Sequence, residues 1–141
     1  MSMPAAQSTS RRPDPFDDVE LWVTADLVHL PVIRALATDL ARRVGFGADE
    51  VADLRVAVDE VCSALMVRAA PGSMLTCLFR VLDEEVRMSA QVASEGSAGR
   101  PDHSLGRDVL GLLVDGCATA TTRHPNGGFV ISTDIVKRSL G

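Results

Sequence analysis

The segment LRVAVDEVCSAL, residues 54–65, lies at the centre of the most regular helical pattern in this chain. Apolar residues around it recur at alternating intervals of three and four positions, and this spacing predicts an amphipathic helix over residues 48–68. Two adjacent carboxylates, Asp59 and Glu60, interrupt the pattern, yet the position one helical turn after Glu60 is Ala64, which carries no polar group. The two acids therefore either belong to a solvated helix face or include one member of an incomplete ligand-binding pair.

The patterns on either side of this helix predict an α/β (α+β) protein. The predicted elements are a strand at 19–25, a first helix with Pro31 in its first turn and its end at Gly45, and a second helix at about 48–68. Strands at 75–82 and 85–93, a short helix at about 105–114, and strands at 117–123 and 129–137 follow. Pro31 suits a first helical turn, where its missing N–H costs nothing, and Gly45 suits a helix end. This order predicts a two-layer sandwich, in which a mixed sheet carries its helices on one face.

Composition separates a polar N-terminal tail from one globular domain. Residues 1–18 are rich in Ser, Pro and charge, so we expect a disordered tail, and residues 19–138 suit a single domain. No apolar run reaches the roughly 18 residues that a membrane-spanning helix needs. Because the N-terminus also lacks the apolar core of a signal peptide, we expect a cytoplasmic protein with no membrane contact.

Charge and cysteine content exclude several kinds of site. A net charge of −5 argues against direct binding to nucleic acid and leaves a basic protein partner open. The three cysteines, Cys62, Cys77 and Cys117, are odd in number and lack C-x-x-C spacing, so they predict neither a disulfide framework nor a metal site. We expect three small buried hydrophobic side chains, with a redox role left open.

The central helix carries a family resemblance. LRVAVDEVCSAL resembles the N-box helix of RsbW/SpoIIAB-type anti-sigma factors, small members of the GHKL ATPase superfamily, in which the box looks like L-x-x-A-V-x-E-A-C-T-N-A. The matching residues are Leu54, Ala57, Val58, Glu60 and Cys62. The similar order of elements extends over about residues 19–138, and the resemblance implies a GHKL (Bergerat-type) fold with a nucleotide site.

The N-box itself departs from the family pattern at one chemically important position. The resemblance gives Glu60 the role of general base and places the metal-binding Asn of the family at position 64. This chain has Ala64 there, and a methyl group offers no ligand to Mg²⁺.

The two other nucleotide boxes are altered as well. In the second box, D-x-G-x-G in the family, Ser94 replaces the Asp that binds adenine, while Gly96 is kept. In the third, a G-L-G-L-like turn around the phosphates, the counterparts are Ser104 and Gly106. With all three boxes altered, we expect no tight Mg-ATP binding and no efficient phosphoryl transfer. Weak nucleotide binding stays open.

The resemblance implies a binding module that regulates transcription. An anti-sigma factor of this family sequesters an alternative sigma factor, forms a homodimer, and is released by an anti-anti-sigma protein of the STAS fold. An acidic chain suits the basic surfaces of such a factor, and this charge complementarity mainly speeds association. Four charged residues on the exposed side of the first helix are either the docking residues or simply solvated: Arg34, Asp39, Arg42 and Arg43.

The alternative implied by the same resemblance is an enzyme. A family member with intact boxes is an ATP-dependent serine kinase that phosphorylates its STAS antagonist. In that case Glu60 acts as the base, and Gly96 and Gly106 shape the nucleotide loop. The absent ligand at Ala64, together with Ser94, separates the two hypotheses. A third hypothesis, a different small molecule in the altered cleft, has no supporting cluster of side chains.

Overall fold

The computed structural model describes residues 18–95 and 104–140, and its elements follow the predicted order. They are β1 (Asp18–Thr24), a 3₁₀ turn (Leu27–His29), α1 (Leu30–Arg43), α2 (Ala48–Arg68), β2 (Met74–Leu82), β3 (Glu85–Ser94), α3 (Ser104–Leu113), β4 (Gly116–Arg123) and β5 (Phe129–Arg138). The boundaries of the strands, of α2 and of α3 lie within one residue of the predicted positions, and α1 has Pro31 in its first turn, as predicted. The predicted tail lies outside the described residues, apart from Asp18, which begins β1.

The five strands form one sheet in the order β1-β2-β3-β5-β4, and all the described pairings are antiparallel. The predicted mixed sheet is thus corrected to an antiparallel one. The reason is that α1 and α2 run out and back, so the chain returns to the end of the sheet where β1 finishes. There the Ala25 N–H donates to the Ser73 carbonyl at 3.0 Å. A single crossover helix would have produced a parallel pair.

A glycine turn reverses the chain between α1 and α2. Gly45 has a φ of +87°, a left-handed conformation that costs other residues steric strain. The Phe46 N–H donates to the Ala41 carbonyl at 3.1 Å, and the Gly45 N–H donates to the Arg42 carbonyl at 3.0 Å. These two hydrogen bonds are the Schellman pattern of a helix C-terminus. The predicted helix end at Gly45 is confirmed.

The helices cover one face of the sheet, as predicted. The apolar stripe of α2 is buried, and in β2 and β3 alternate side chains point into the same hydrophobic cluster. The buried strand residues are Leu75, Cys77 and Phe79 of β2, and Val86, Met88, Ala90 and Val92 of β3. The alternate apolar residues form a hydrophobic core between the sheet and the helices. The residues between them lie on the other face, which an antiparallel sheet can leave in contact with solvent. Within the described ranges, no helix is long and apolar enough to cross a membrane.

The cysteines divide between the core and the edge of the sheet. Cys62 of α2 and Cys77 of β2 are fully buried, with their Sγ atoms 3.8 Å apart, as expected for small core residues. The contact with the Cys77 thiol, and then burial, raise the pKa of Cys62, which keeps it a neutral thiol. Cys117 is exposed, contrary to expectation, because it lies on the edge strand β4, where almost every residue is exposed.

One buried carboxylate joins the start of α2 to the C-terminal end of the chain. Glu50, in the first turn of α2, accepts hydrogen bonds from the Gly47 N–H at 2.7 Å and the Leu140 N–H at 2.5 Å. These bonds, with that from Gly47 dominant and the Lys137 charge adding to them, lower the pKa of Glu50. A single side chain thus connects the start of α2 with Leu140, 90 residues later in the sequence.

Candidate functional site

Glu60 and Ala64 occupy consecutive turns of α2, and both are exposed. Among the described residues, nothing forms an ion pair or side-chain hydrogen bond with the Glu60 carboxylate; the nearby Ser63 hydroxyl donates to the Glu60 backbone carbonyl instead, at 3.3 Å. The helix therefore presents a carboxylate that can accept a proton. It presents only a methyl group at the position where the resemblance places a metal ligand.

The neighbouring acid has a different role. The Asp59 carboxylate accepts a hydrogen bond from Arg34 Nε at 3.0 Å, and the two side chains are about 40% exposed. The contact crosses from α2 to α1 and stabilises their packing, contributing up to about 1 kcal/mol at such exposure. The two adjacent carboxylates in the N-box helix are thus separated into one structural ion pair and one unpaired acid.

Ser94 is the last residue of β3 and is buried. The Ala70 N–H, just past the end of α2, donates to the Ala93 carbonyl at 2.8 Å, so the end of α2 lies beside the end of β3. On the other side, a Cβ on Gly128 would lie only 2.9 Å from the Ser94 carbonyl oxygen. Gly128 was not among the predicted site residues, although the sequence HPNGG signals a tight turn there.

The rest of the predicted nucleotide loop is only partly described. Gly96 lies outside the described residues, and Ser104 and Gly106 lie in the first turns of α3, where only the backbone is described. At its other end α3 is held by Lys137, whose Nζ donates to the Leu113 carbonyl at 2.7 Å and lies 3.5 Å from Asp53 of α2. This bridge joins α3 and α2 to β5.

The described side chains supply fewer ligands for a magnesium nucleotide than the family pattern implies. Mg²⁺ requires oxygen ligands, and exposed Ala64 supplies none beside Glu60. At the position where the resemblance places the adenine-binding Asp, Ser94 provides a buried hydroxyl instead of a carboxylate. Within residues 18–95 and 104–140, no three His, Cys, Asp or Glu side chains converge on a point where a metal ion could bind. The described part of the N-box therefore keeps the Glu60 carboxylate and has a methyl group at position 64.

The four predicted docking residues lie along α1 in different environments. Arg43 Nη2 pairs with Asp39 Oδ2 at 2.9 Å, one turn apart on the helix, and Arg34 is engaged by Asp59. Arg42 is exposed and has no ion pair with any residue that the structure describes. Prediction from sequence therefore grouped residues that the structure separates into two ion pairs and one unpaired arginine.

Comparison with known proteins supports the fold and the resemblance carried by α2. The model of the histidine kinase-like ATPase domain matches residues 23–131. A relative called anti-sigma-F factor RsbW, from Mycobacterium tuberculosis, is 35% identical over 101 residues, which cover 72% of this chain and 60% of that relative's length. A relative from Bacillus cereus called serine-protein kinase RsbW is 25% identical, with 87% of this chain and 88% of its own length covered.

A solved structure supports the same assignment at the level of the fold. A crystal structure of the RsbU and RsbW domains of a Mycobacterium tuberculosis protein superposes with a TM-score of 0.58 and 17% identity, over 92% of this chain and 35% of that one. The N-box helix, the two-layer fold and the match across residues 23–131 agree. The chain belongs to the histidine kinase-like ATPase domain family.

Proposed function

We propose that this chain is an anti-sigma factor, which sequesters an alternative sigma factor by direct protein contact and represses transcription without efficient ATP turnover. One observation carries the proposal: exposed Ala64 leaves the N-box without its metal ligand, while the surrounding helix and core are intact. A domain that keeps its fold and loses its metal ligand can still bind a protein. The mycobacterial relative, which this chain matches over 60% of its length, is named as an anti-sigma factor.

The partners follow from the family resemblance and from charge. An acidic chain of net charge −5 suits a sigma factor whose polymerase- and DNA-facing surfaces are basic. The resemblance adds a homodimer and release by an anti-anti-sigma protein of the STAS fold. A sigma factor as partner would place this protein in the cytoplasm, and neither nucleic acid nor membrane is needed for the activity.

A second candidate function is an ATP-dependent serine kinase acting on the STAS antagonist. The Bacillus cereus relative is named as a serine-protein kinase, and the unpaired Glu60 carboxylate retains the capacity to accept a proton from a substrate hydroxyl. This function would need ATP to be held without the N-box Asn and without the adenine-binding Asp. The two candidates therefore differ in whether Mg-ATP changes the behaviour of the protein.

The test is a tagged pull-down from native lysate, with and without Mg-ATP, read by mass spectrometry. We expect the same sigma factor to be enriched equally in both conditions, and equally by the Glu60→Gln variant. Radiolabelled ATP added to the captured complex should transfer no phosphate to any protein in it. Absence of a sigma factor from both samples would refute the proposal. Phosphate transfer that Glu60→Gln abolishes would establish the kinase instead.

A further inference from the structure

A groove is lined by residues of α1, of α2 and of the loop between them. It consists of two adjoining hollows, of about 370 and about 520 Å³, which share Arg42 and Arg55. The first is completed by Phe46, Ala48, Val51 and Ala52, and the second by Pro31, Arg34, Ala35, Thr38 and Asp39. We call the whole the Arg42–Arg55 groove. Its lining residues include none of Glu60, Ala64 and Ser94.

The groove combines an apolar floor with charge above it. Phe46 and Val51 are buried and form the floor of the first hollow. Ala48 and Ala52 also line it, and their small side chains leave it open. Along α1, the lining residues recur at intervals of three and four positions, so they form one continuous helix face. The apolar floor of the first hollow suits the apolar side of an amphipathic segment.

The positive charge in the groove is not balanced by the rest of the described chain. The Arg34 guanidinium is paired with Asp59, and the Asp39 carboxylate with Arg43, so these charges cancel locally. Arg42 and Arg55 are exposed, and neither has an ion pair or side-chain hydrogen bond within residues 18–95 and 104–140. Two unpaired guanidinium groups therefore point to an anionic occupant, on a protein that is otherwise acidic.

We propose that the Arg42–Arg55 groove binds an acidic amphipathic helix of a partner protein. Apolar side chains of that helix would pack on Phe46 and Val51, and its carboxylates would pair with Arg42 and Arg55. The groove extends over the three turns of α1 from Pro31 to Arg42, about 16 Å at 1.5 Å per residue, which matches a three-turn helix. The proposal rests on the groove alone and does not depend on the anti-sigma function.

The probe is a designed amphipathic peptide of about 15 residues, with leucines on one face and glutamates flanking them. Titration into the isotope-labelled full chain should shift the amide resonances of residues that line the groove. Calorimetry should show binding that weakens as NaCl rises from about 50 to about 500 mM, because the contacts are charge-assisted and exposed. A peptide with lysine at every glutamate should not bind.

Variants identify the residues that carry the binding. Arg42→Ala and Arg55→Ala should each weaken the affinity about three- to tenfold, and the double charge reversal R42E/R55E should abolish it. Arg80→Ala is the matched control, since it removes the same charge from an exposed arginine on β2 and should change the affinity less than twofold. Circular dichroism establishes that each variant is folded.

Several results would overturn the proposal. One is a shift pattern centred on the open face of the sheet, or an Arg80→Ala effect as large as that of Arg42→Ala. Equal binding of the lysine peptide would show that charge is irrelevant. Inorganic phosphate producing the same shifts as the peptide would identify a simple anion site. Concentration-dependent shifts of the same resonances without peptide would identify a second copy of this chain as the occupant.

Discussion

At the residue scale, the functional question centres on a methyl group at position 64. Replacing Ala by Asn on an exposed helix face costs at most about 0.7 kcal/mol of helix propensity, so Ala64→Asn should still fold. We expect the variant to gain no tight Mg-ATP binding in calorimetry and no phosphoryl transfer, because buried Ser94 stands where the resemblance places the adenine-binding Asp.

The control for that substitution is Val67→Asn, which places the same side chain on the next turn of α2 at a residue that is 74% exposed. Both variants should resemble the unaltered chain in nucleotide binding. Saturable Mg-ATP binding by Ala64→Asn alone, with none by Val67→Asn, would show that a single lost ligand explains the altered site. The kinase hypothesis would then become the stronger one.

At the element scale, Glu50 connects the start of α2 with the C-terminal end of the chain. Glu50→Gln removes the charge that accepts the Gly47 and Leu140 N–H groups, so we expect its thermal midpoint at pH 7 to fall by a few degrees. Asp49→Asn is the control, because Asp49 lies in the same first turn and is exposed. Its midpoint should change less.

The loss of stability caused by Glu50→Gln should depend on pH in a defined direction. The pKa of Glu50 is lowered in the folded state, mainly by the Gly47 hydrogen bond, so its contribution is complete above its unfolded pKa of about 4.3. That contribution disappears as the pH falls through the folded pKa. The difference between Glu50→Gln and the parent should therefore shrink in acid. A difference that stays constant from pH 7 to about pH 3 would contradict this account of the carboxylate.

At the scale of the whole molecule, we expect a homodimer, as the family resemblance implies. Sedimentation velocity should give twice the 15.0 kDa mass of one chain, with or without Mg-ATP. A single 15.0 kDa species at every concentration would contradict the expectation, and a shift to dimer only on adding nucleotide would contradict nucleotide independence. The division of the chain into a tail, 1–18, and one domain, 19–138, stays a prediction, which limited proteolysis can test.

Local sequence patterns were sufficient for the order of elements and for the family. The spacing of apolar residues in α2, the glycine at position 45 and the alternation in the hairpins are properties of neighbouring residues. They therefore survive in the sequence without any knowledge of distant contacts. The alterations at Ala64 and Ser94 were also readable, because a motif assigns each position a chemical task.

Contacts between residues far apart in sequence could not be read in this way. β1 and β2 are antiparallel because two helices, α1 and α2, connect them. Asp59 is paired and Glu60 is not, because Arg34 of α1 forms an ion pair with Asp59. Arg42 and Arg55 meet at one groove only because the Gly45 turn folds α2 back along α1. Such pairings are determined by packing in three dimensions, and periodicity along the chain carries no record of them.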